Sequence, residues 1–169
     1  MSKLNERLQK ARVSHLTWVA RAEALVKGVP LEKEQVPLLA TECGFGQWYH
    51  GEGRVLRALP SYVALEKPHH DLHHIYMEIF KLLYGKQERS LLSKLFGSKR
   101  ALKQEAVEKA TALLPELKKS SQLVLEGLDK LEFDIQQVRK RKLSQHKQPN
   151  SSDESLAKLN KELTELGYG

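Results

Sequence analysis

The sequence predicts an all-α protein, an antiparallel four-helix bundle with a flexible basic C-terminal tail. Aromatic residues make up only 7% of the chain and β-branched runs are sparse, which disfavours a sheet. Apolar residues instead recur at alternating spacings of three and four, the period of amphipathic helices. With 169 residues and 40% hydrophobic content, the chain can bury one core of ordinary size. We therefore predict a bundle over residues 1–140, followed by a linker and a short amphipathic helix over residues 141–169.

The first predicted helix begins near the N-terminus and ends near Gly28 and Pro30. Glycine relieves backbone strain at a helix C-terminus, and proline cannot continue the helix. The apolar seam of this helix has a histidine in its middle, where an apolar residue would normally lie. The seam consists of Leu4, Leu8, Ala11, His15, Trp18, Ala22 and Leu25.

A short second helix is predicted from about Pro37 to Tyr49, since proline is tolerated in a first helical turn. This prediction places Cys43 in the middle of the helix. Gly44 and Gly46 weaken the helix intrinsically, and they indicate close approach of a neighbour or ligand at that level.

After Pro60, a third helix shows the same spacing and again carries histidine on its seam. The seam consists of Tyr62, Leu65, His69, Leu72, Tyr76, Ile79 and Leu83. From Gly85 to about Arg100 the period is lost and charge accumulates, which predicts a loop that holds a short helical turn.

The last long helix is predicted from about Leu102 to Val138, with Pro115 bending or breaking it. Its inward positions are Ala106, Ala110, Leu113, Leu117, Val124, Leu128, Leu131, Ile135 and Val138. Residues 143–153 are polar and predict a linker. The stripe that follows predicts a short amphipathic helix able to dock on this protein or on a partner, and it consists of Leu156, Leu159, Leu163 and Leu166.

The single cysteine, Cys43, excludes an internal disulfide and any CxxC metal or redox motif. A free thiol suits a reducing compartment, so we expect a cytoplasmic protein. No apolar run approaches the roughly 18 to 20 residues that a membrane span needs. The polar residues 1–10 lack the apolar core of a signal peptide.

The formal charge of +7 is concentrated in two stretches. Residues 81–103 carry seven Lys or Arg against one acidic residue, and residues 139–147 carry five against none. Such stretches can bind nucleic acid or anionic lipid, but they more often form solvated surface. We therefore do not expect nucleic acid to be a partner.

Three of the predicted helices carry side chains that bind metals: His15 on the first, Cys43 on the second, and His69 with His73 on the third. The i,i+4 spacing puts His69 and His73 one turn apart on one helix face. Three imidazoles and one thiolate suit Zn²⁺, which takes such ligands at about 2.0 to 2.3 Å in a tetrahedron, whereas Mg²⁺ and Ca²⁺ prefer oxygen. We therefore predict one zinc ion held by these four residues.

The remaining histidines offer a rival pair, and a simpler interpretation is also open. His70 and His74 stand four residues apart as well, but their helix face is mixed and expected to be wet. His50 lies beside glycine near a helix end and is expected at the rim of the site or in solvent. Any one histidine on a bundle seam is often only a core imidazole that is hydrogen-bonded to a neighbour.

Three short stretches together carry a family signature. They are residues 15–18 (His-Leu-Thr-Trp), residues 43–53 (Cys-Gly-Phe-Gly-Gln-Trp-Tyr-His-Gly-Glu-Gly) and residues 68–73 (Pro-His-His-Asp-Leu-His). A histidine near a tryptophan, then a C-x-[LF]-G-x-W block, then a PHxxxH pair resembles the bacterial chemoreceptor zinc-binding domain family. The similarity extends over roughly residues 8–138.

The resemblance implies a four-helix bundle that usually forms a homodimer, with one zinc held by His15, Cys43, His69 and His73. Members of the family are typically fused to cytoplasmic chemoreceptor signalling regions or to diguanylate cyclases. They are thought to report zinc or oxidants such as hypochlorous acid. This sequence has neither a long receptor hairpin nor a cyclase domain, so we expect a signalling partner in trans.

We therefore expect a sensory or regulatory domain, not an enzyme, that responds to zinc or to oxidation of Cys43. Four protein ligands close the coordination sphere, whereas a catalytic zinc keeps one position for water. Three alternatives remain. They are a purely structural zinc in a protein-interaction module, a metal-dependent enzyme of the DinB type with Cys43 unligated, and a nucleic-acid or lipid binder that uses the basic stretches.

Overall fold

The computed structural model describes residues 3–29, 38–85, 99–145 and 154–167. These residues form helices and turns and include no strand, so the predicted all-α class is confirmed. The elements are α1 (Lys3–Val26), α2 (Gly44–His50), a 3-10 turn (Glu52–Leu56), α3 (Pro60–Val63), α4 (Glu66–Tyr84), α5 (Lys99–Gln145) and α6 (Glu154–Glu165). Helix α2 has only seven residues and is much shorter than a typical bundle helix. The antiparallel arrangement of four helices therefore stays a prediction.

Ion pairs between α1 and α5 show that these two helices run in opposite directions. Arg12, in the first half of α1, lies 2.7 Å from both Asp129 and Glu132. Glu23, eleven residues further along α1, pairs with Lys118, which lies earlier in α5. The order of the partners along α5 is therefore the reverse of their order along α1.

Helix α4 packs along α5 and also contacts α1. Ring contacts relate its direction to that of α1, since His15 lies against His69 and Trp18 lies against His73 and Tyr76. Later residues of α1 therefore contact later residues of α4, so the two helices run in the same direction where their histidines face each other.

The predicted seams form the core. Every seam residue of α1 is buried, including His15 at its centre. On α5 all predicted inward residues are buried except Leu113, which is half-buried against the core. On α4 the seam is buried from His69 to Ile79, and Leu83 at the end of the helix is only half-buried. A period of three and four therefore identified the buried face of each long helix.

The prediction that Cys43 lies in the middle of the second helix is wrong. Helix α2 begins at Gly44, and Cys43 is its N-cap, with φ −72° and ψ 155° and with Sγ accepting a hydrogen bond from the Gly46 N–H. The chain before Cys43 turns back on α2 so closely that a Cβ on Gly46 would lie 1.7 Å from the Ala40 carbonyl oxygen. Glycine at position 46 is thus required by this close approach. Leu39, predicted in the helix, lies in a turn and is exposed.

The third predicted helix is divided in two. Helix α3 ends at Val63, Ala64 and Leu65 form a turn, and α4 begins at Glu66. The break follows from Pro68, which has no N–H to donate to the carbonyl of Ala64 four residues earlier and whose ring crowds that carbonyl.

Helix α5 is longer than predicted and runs without a break through Pro115. Pro115 is exposed, and so is Thr111, whose carbonyl loses the intrahelical partner, so water can satisfy that carbonyl. The helix continues past Val138 to Gln145, so the linker predicted from residue 143 does not begin there. Lys, Arg and Gln have good helix propensity, which a polar composition alone does not reveal.

Three predicted features lie outside the described residues: the chain from Pro30 to Pro37, most of the loop after Gly85, and the remainder of the linker over residues 146–153. The flexibility predicted for the basic tail falls largely on that last segment, and the domain boundary at residue 140 stays a prediction.

Helix α6 packs on α5 and on the 3-10 turn of the same chain. Leu159 and Leu163 are buried in the core cluster, whereas Leu166 is exposed. The C-terminal stripe therefore docks on this chain. In the part of the chain that the structure describes, no helix combines the length and the apolar character needed to cross a membrane.

Replacing Gly46 by alanine should destabilise the protein. The added methyl group meets the backbone of Ala40 instead of a movable side chain, so we expect the free energy of unfolding to fall by about 1 to 3 kcal/mol. The measurement is urea denaturation in the presence of a chelator. Gly44→Ala is the matched control, because a Cβ at position 44 has no neighbour within 4 Å. Equal denaturation midpoints for the two variants would contradict the close approach.

Candidate metal centre

Four side chains from three parts of the chain converge in the core. His15 comes from the middle of α1, Cys43 from the N-cap of α2, and His69 and His73 from adjacent turns of α4. One ligand atom from each lies within 4.8 Å of the other three. All four residues are buried, with exposed fractions of 2–6%. The structure thus brings together the four residues that the sequence selected.

Backbone carbonyls orient two of the histidines. Nδ1 of His15 lies 2.7 Å from the carbonyl oxygen of Ala11, and Nδ1 of His73 lies 3.2 Å from that of Leu38. A carbonyl only accepts, so in each ring Nδ1 carries the proton and donates it, and Nε2 keeps its lone pair. Metal-binding histidines typically donate their second nitrogen in this way.

The Nε2 atom of His73 is buried and has no hydrogen-bonding partner. Buried polar atoms in folded proteins almost always have a partner, and one that lacks it needs an explanation. A cation bound between the four side chains would supply that partner.

Cys43 lies next to His69, with 3.2 Å between Sγ and Nε2. Burial raises the pKa of the Cys43 thiol, and hydrogen bonds from the Gly46 and Phe45 N–H groups oppose this shift. Without a cation, Cys43 is therefore a protonated thiol that can donate to His69 or to the Ala40 carbonyl oxygen 3.4 Å away. A thiol must lose its proton to bind a metal.

The three histidines are neutral at pH 7. Burial lowers the pKa of His69 to about 2, with repulsion from His15 and His73 as a further cause. Burial also lowers the pKa of His73 to about 4, against the opposing hydrogen bond to Leu38, and it lowers the pKa of His15. Neutral imidazole is the form that coordinates metals, so these rings need no deprotonation.

The arrangement fits a tetrahedral ion. Bond lengths of about 2.0 to 2.3 Å to nitrogen and sulfur place the ligand atoms of such a site about 3.3 to 3.6 Å apart. The observed 3.2 Å between Cys43 Sγ and His69 Nε2 and the upper limit of 4.8 Å bracket this range. Only small side-chain movements separate the four atoms from a closed site. Three imidazoles and a thiol, without a carboxylate in the cluster, favour zinc over magnesium or calcium.

Aromatic rings surround the cluster and fix the imidazole planes. The Trp18 ring lies edge-on to His73 at a centroid distance of 4.2 Å. Phe45 packs against both His15 and His69, at 5.6 and 4.8 Å. Sequence reasoning noted Phe45 only as part of a motif and did not identify the supporting carbonyls. Ala11 could have been found from its position four residues before His15, whereas nothing in a side-chain pattern identifies the carbonyl of Leu38.

Three further histidines of the described residues, His50, His70 and His74, are not part of the cluster. His70 and His74 are exposed on a neighbouring face of α4, and the His74 ring lies 3.8 Å from Glu78. His50 is exposed at the end of α2. The expectation of a wet rival pair and a solvent-exposed His50 is confirmed.

A cleft of about 290 Å³ connects the cluster with the surface between α1 and the start of α2. Its lining includes two of the four candidate ligands, His15 and Cys43, together with Phe45 and Gly44. A small molecule that enters this cleft therefore comes next to two of the four candidate ligands.

Fold and site together define a helical domain with a candidate three-histidine, one-cysteine metal centre. Residues 15–80 match the model of the chemoreceptor zinc-binding domain family, so the predicted family is confirmed over this segment. The match contains all four residues of the cluster but is shorter than the similarity predicted over residues 8–138, and α5 and α6 lie outside it. The searches of curated proteins and of solved structures gave no match.

The metal-free protein should lose stability as the pH falls. The unfolded chain takes up protons on histidine near pH 6.5, whereas the folded chain keeps His73 neutral to a pKa of about 4 and His69 to about 2. The contribution of the neutral histidines to the free energy of unfolding is thus fully present above about pH 6.5. It is lost progressively as the pH falls through the folded pKa values.

Urea denaturation in a chelating buffer between about pH 7.5 and about pH 4 measures this dependence. His69→Gln should flatten the profile, because glutamine does not titrate. His70→Gln changes an exposed histidine and should leave the profile intact. A wild-type profile that is flat over this range would show that the buried rings are not held neutral.

Proposed function

We propose that this domain binds one zinc ion through His15, Cys43, His69 and His73 and acts as a sensory or regulatory module. The observation that carries the proposal is the convergence of four buried ligand atoms, one of them the unpartnered Nε2 of His73. Membership of residues 15–80 in a zinc-binding family supports the choice of metal.

Bound zinc would supply a positive charge that stabilises the Cys43 thiolate. It would also link α1, the start of α2 and α4, because each of them provides at least one ligand. The chain's own residues prepare this link. The carbonyls of Ala11 and Leu38 hold the rings of His15 and His73 in orientation, and Phe45 packs between α1 and α4. Loss of the ion would leave the start of α2 held to the other two helices only by packing, by the weak Cys43–His69 contact and by the hydrogen bond from His73 to the Leu38 carbonyl just before it.

Cys43 is the group through which an oxidant would act. The thiolate attacks a two-electron oxidant such as hypochlorous acid, sulfur gains the oxygen atom and proton as sulfenic acid, and chlorine leaves as chloride. Sulfur loses two electrons and the oxidant gains them. The cleft lined by Cys43 and Gly44 supports this role, because a small oxidant within it would lie beside the cysteine. Oxidised Cys43 would be a poorer ligand, so zinc loss and oxidation lead to the same freed helix α2.

Two alternatives differ from this proposal in what they require of Cys43 or of the ion. An enzyme of the DinB type would leave Cys43 unligated and keep a position for water, but the 3.2 Å contact of its sulfur with His69 favours a four-ligand set. A purely structural zinc would stabilise the fold without changing what the domain presents to a partner.

We further propose that the domain forms a homodimer and that a separate signalling protein receives its output. Large apolar side chains remain exposed on the described surface, among them Val13 and Leu16 one turn apart on α1. Exposed apolar side chains that adjoin one another are typical of interaction surfaces.

Purified protein should contain one zinc ion per chain, as measured by metal analysis. His15→Ala and Cys43→Ala should each lose most of it, whereas a variant that carries both His70→Ala and His74→Ala should retain it, because those rings are exposed. Binding should release about one proton at neutral pH, since only the Cys43 thiol must ionise. Calorimetry in two buffers of different ionisation enthalpy measures this number. Wild-type protein that does not bind zinc would refute the proposal.

Cobalt substitution tests the role of sulfur directly. A thiolate-to-cobalt charge-transfer band should appear in the wild type and disappear in Cys43→Ser. A cobalt complex without that band in the wild type would favour the DinB type of site.

Hypochlorous acid should release zinc from the loaded protein, as followed with a chromogenic chelator. Gly44→Leu should slow the release without weakening zinc binding, because the new side chain adds bulk at a position that lines the cleft and has free space around it. Cys43→Ser provides the control. Should that variant still change its helicity or oligomeric state on oxidation, the thiol would not be the oxidant sensor.

A further inference from the structure

The chain from Leu38 to Leu56 packs as one unit, which we name the 38–56 unit. At its start, the backbone of Gly46 lies directly against the carbonyl of Ala40, with no space for a side chain. At its end, a Cβ on Gly53 would lie 2.9 Å from the Trp48 carbonyl oxygen and 3.1 Å from its ring. Because backbone and a buried ring meet without side chains between them, α2 cannot move without carrying the 3-10 turn with it.

The two ends of this unit contact different parts of the protein. Near its start, Cys43 and Phe45 lie against the candidate metal ligands. Near its end, the 3-10 turn contacts α6. Arg7 and Glu52, 3.6 Å apart, place this turn near the beginning of α1, about 12 Å along the helix axis from His15.

A fixed attachment lies between the two ends. The rings of Tyr49 and Tyr62 are stacked at 4.2 Å, and each hydroxyl donates to the backbone carbonyl of the other residue. This pair ties the last turn of α2 to α3. A displacement at Cys43 would therefore rotate the 38–56 unit about the tyrosine pair and tilt the 3-10 turn on the other side.

Helix α6 depends on the surface on which it lies. It has twelve residues, and isolated helices of that length are marginal in water, so its stability comes from burying Leu159 and Leu163. The turn that follows α6 also lies beside the Lys3 side chain, which is close to Gly167. A small tilt of the 3-10 turn would remove part of the surface on which α6 lies.

We infer that docking of α6 is coupled to occupancy of the metal centre, and that α6 is the element through which the site controls its output. This inference rests on the proposed zinc site. With zinc bound, the 38–56 unit is held in place and α6 covers the 3-10 turn. When the ion is lost or Cys43 is oxidised, α6 detaches and exposes both its own leucine stripe and the apolar surface beneath it. That surface then fits an amphipathic helix of a partner protein, in the place that α6 occupied.

Hydrogen exchange on the full-length chain tests the coupling. Amides over residues 157–166 should exchange at least about tenfold faster after zinc is removed by a chelator, which corresponds to a coupling of ordinary allosteric size. Amides over residues 117–131, in the buried part of α5, provide the reference within the same molecule. In His15→Ala, exchange of α6 should be fast with or without added zinc.

The possible failures are distinguishable. If the wild type binds zinc and α6 exchanges at the same rate with and without it, the coupling is refuted and the zinc site stands. If the wild type binds no zinc, both the coupling and the proposed function fail.

Thermodynamic reciprocity gives a second measurement. If bound zinc raises the equilibrium constant for docking of α6 by some factor, docked α6 must raise the affinity for zinc by the same factor. Leu159→Ser together with Leu163→Ser should detach α6 and weaken zinc binding in a competition titration by the factor found from hydrogen exchange. Lys158→Ser with Lys161→Ser changes exposed residues of the same helix and should leave the affinity unchanged.

Circular dichroism establishes that each variant is folded. If the double leucine variant does not fold, Leu163→Ala replaces it, with a smaller expected loss of affinity. Unchanged zinc affinity in a folded variant whose α6 exchanges freely would overturn the inference.

Discussion

Burial of four metal-binding side chains at the meeting point of three helical elements is the constraint on which this structure depends. A core of this kind would normally be filled by leucine and valine, and the same helices supply those residues above and below the cluster. Placing neutral imidazoles and a thiol there costs solvation, and the hydrogen bonds to Ala11 and Leu38 recover only part of it. Burial lowers the pKa values of His69 and His73 for the same reason, since it removes water from the imidazole rings. An ion that satisfied all four groups at once would turn this unfavourable part of the core into a cross-link between the helices.

The amount of this architecture that could be predicted from the sequence varied with the length of the element. Helices α1 and α5 are long and strictly periodic, so their buried faces, including the position of His15, followed from spacing alone. The two carboxy-terminal leucines that dock, Leu159 and Leu163, were equally visible. By contrast, the start of α2 is determined by the backbone of Gly46 against Ala40, a contact between residues whose side chains give no periodic signal. The break before α4 was encoded by Pro68, but a strong apolar period on both sides concealed it.

The candidate site shows the same division. Residue type and the i,i+4 rule selected the four side chains, because the chemistry of zinc ligation restricts the choice to few residues. Their supporting groups were not predictable in the same way. The carbonyl that orients His73 belongs to Leu38, thirty-five residues earlier, and its position depends on how the chain folds back before Cys43. Helices α5 and α6 both lie outside the segment, residues 15–80, that matches the family model.

The hydrogen bond from His15 to Ala11 stays within a single turn of α1, and His69 and His73 project from one rigid rod. The long helices α1 and α4 thus position the three histidines, whereas Cys43 belongs to a short helix cap outside them. Capture of an ion would then proceed in two stages, with any borderline cation able to enter the imidazole cup and thiolate closure discriminating among them. In such a capture, selectivity would depend on the sulfur ligand, the one donor that lies outside the two long helices.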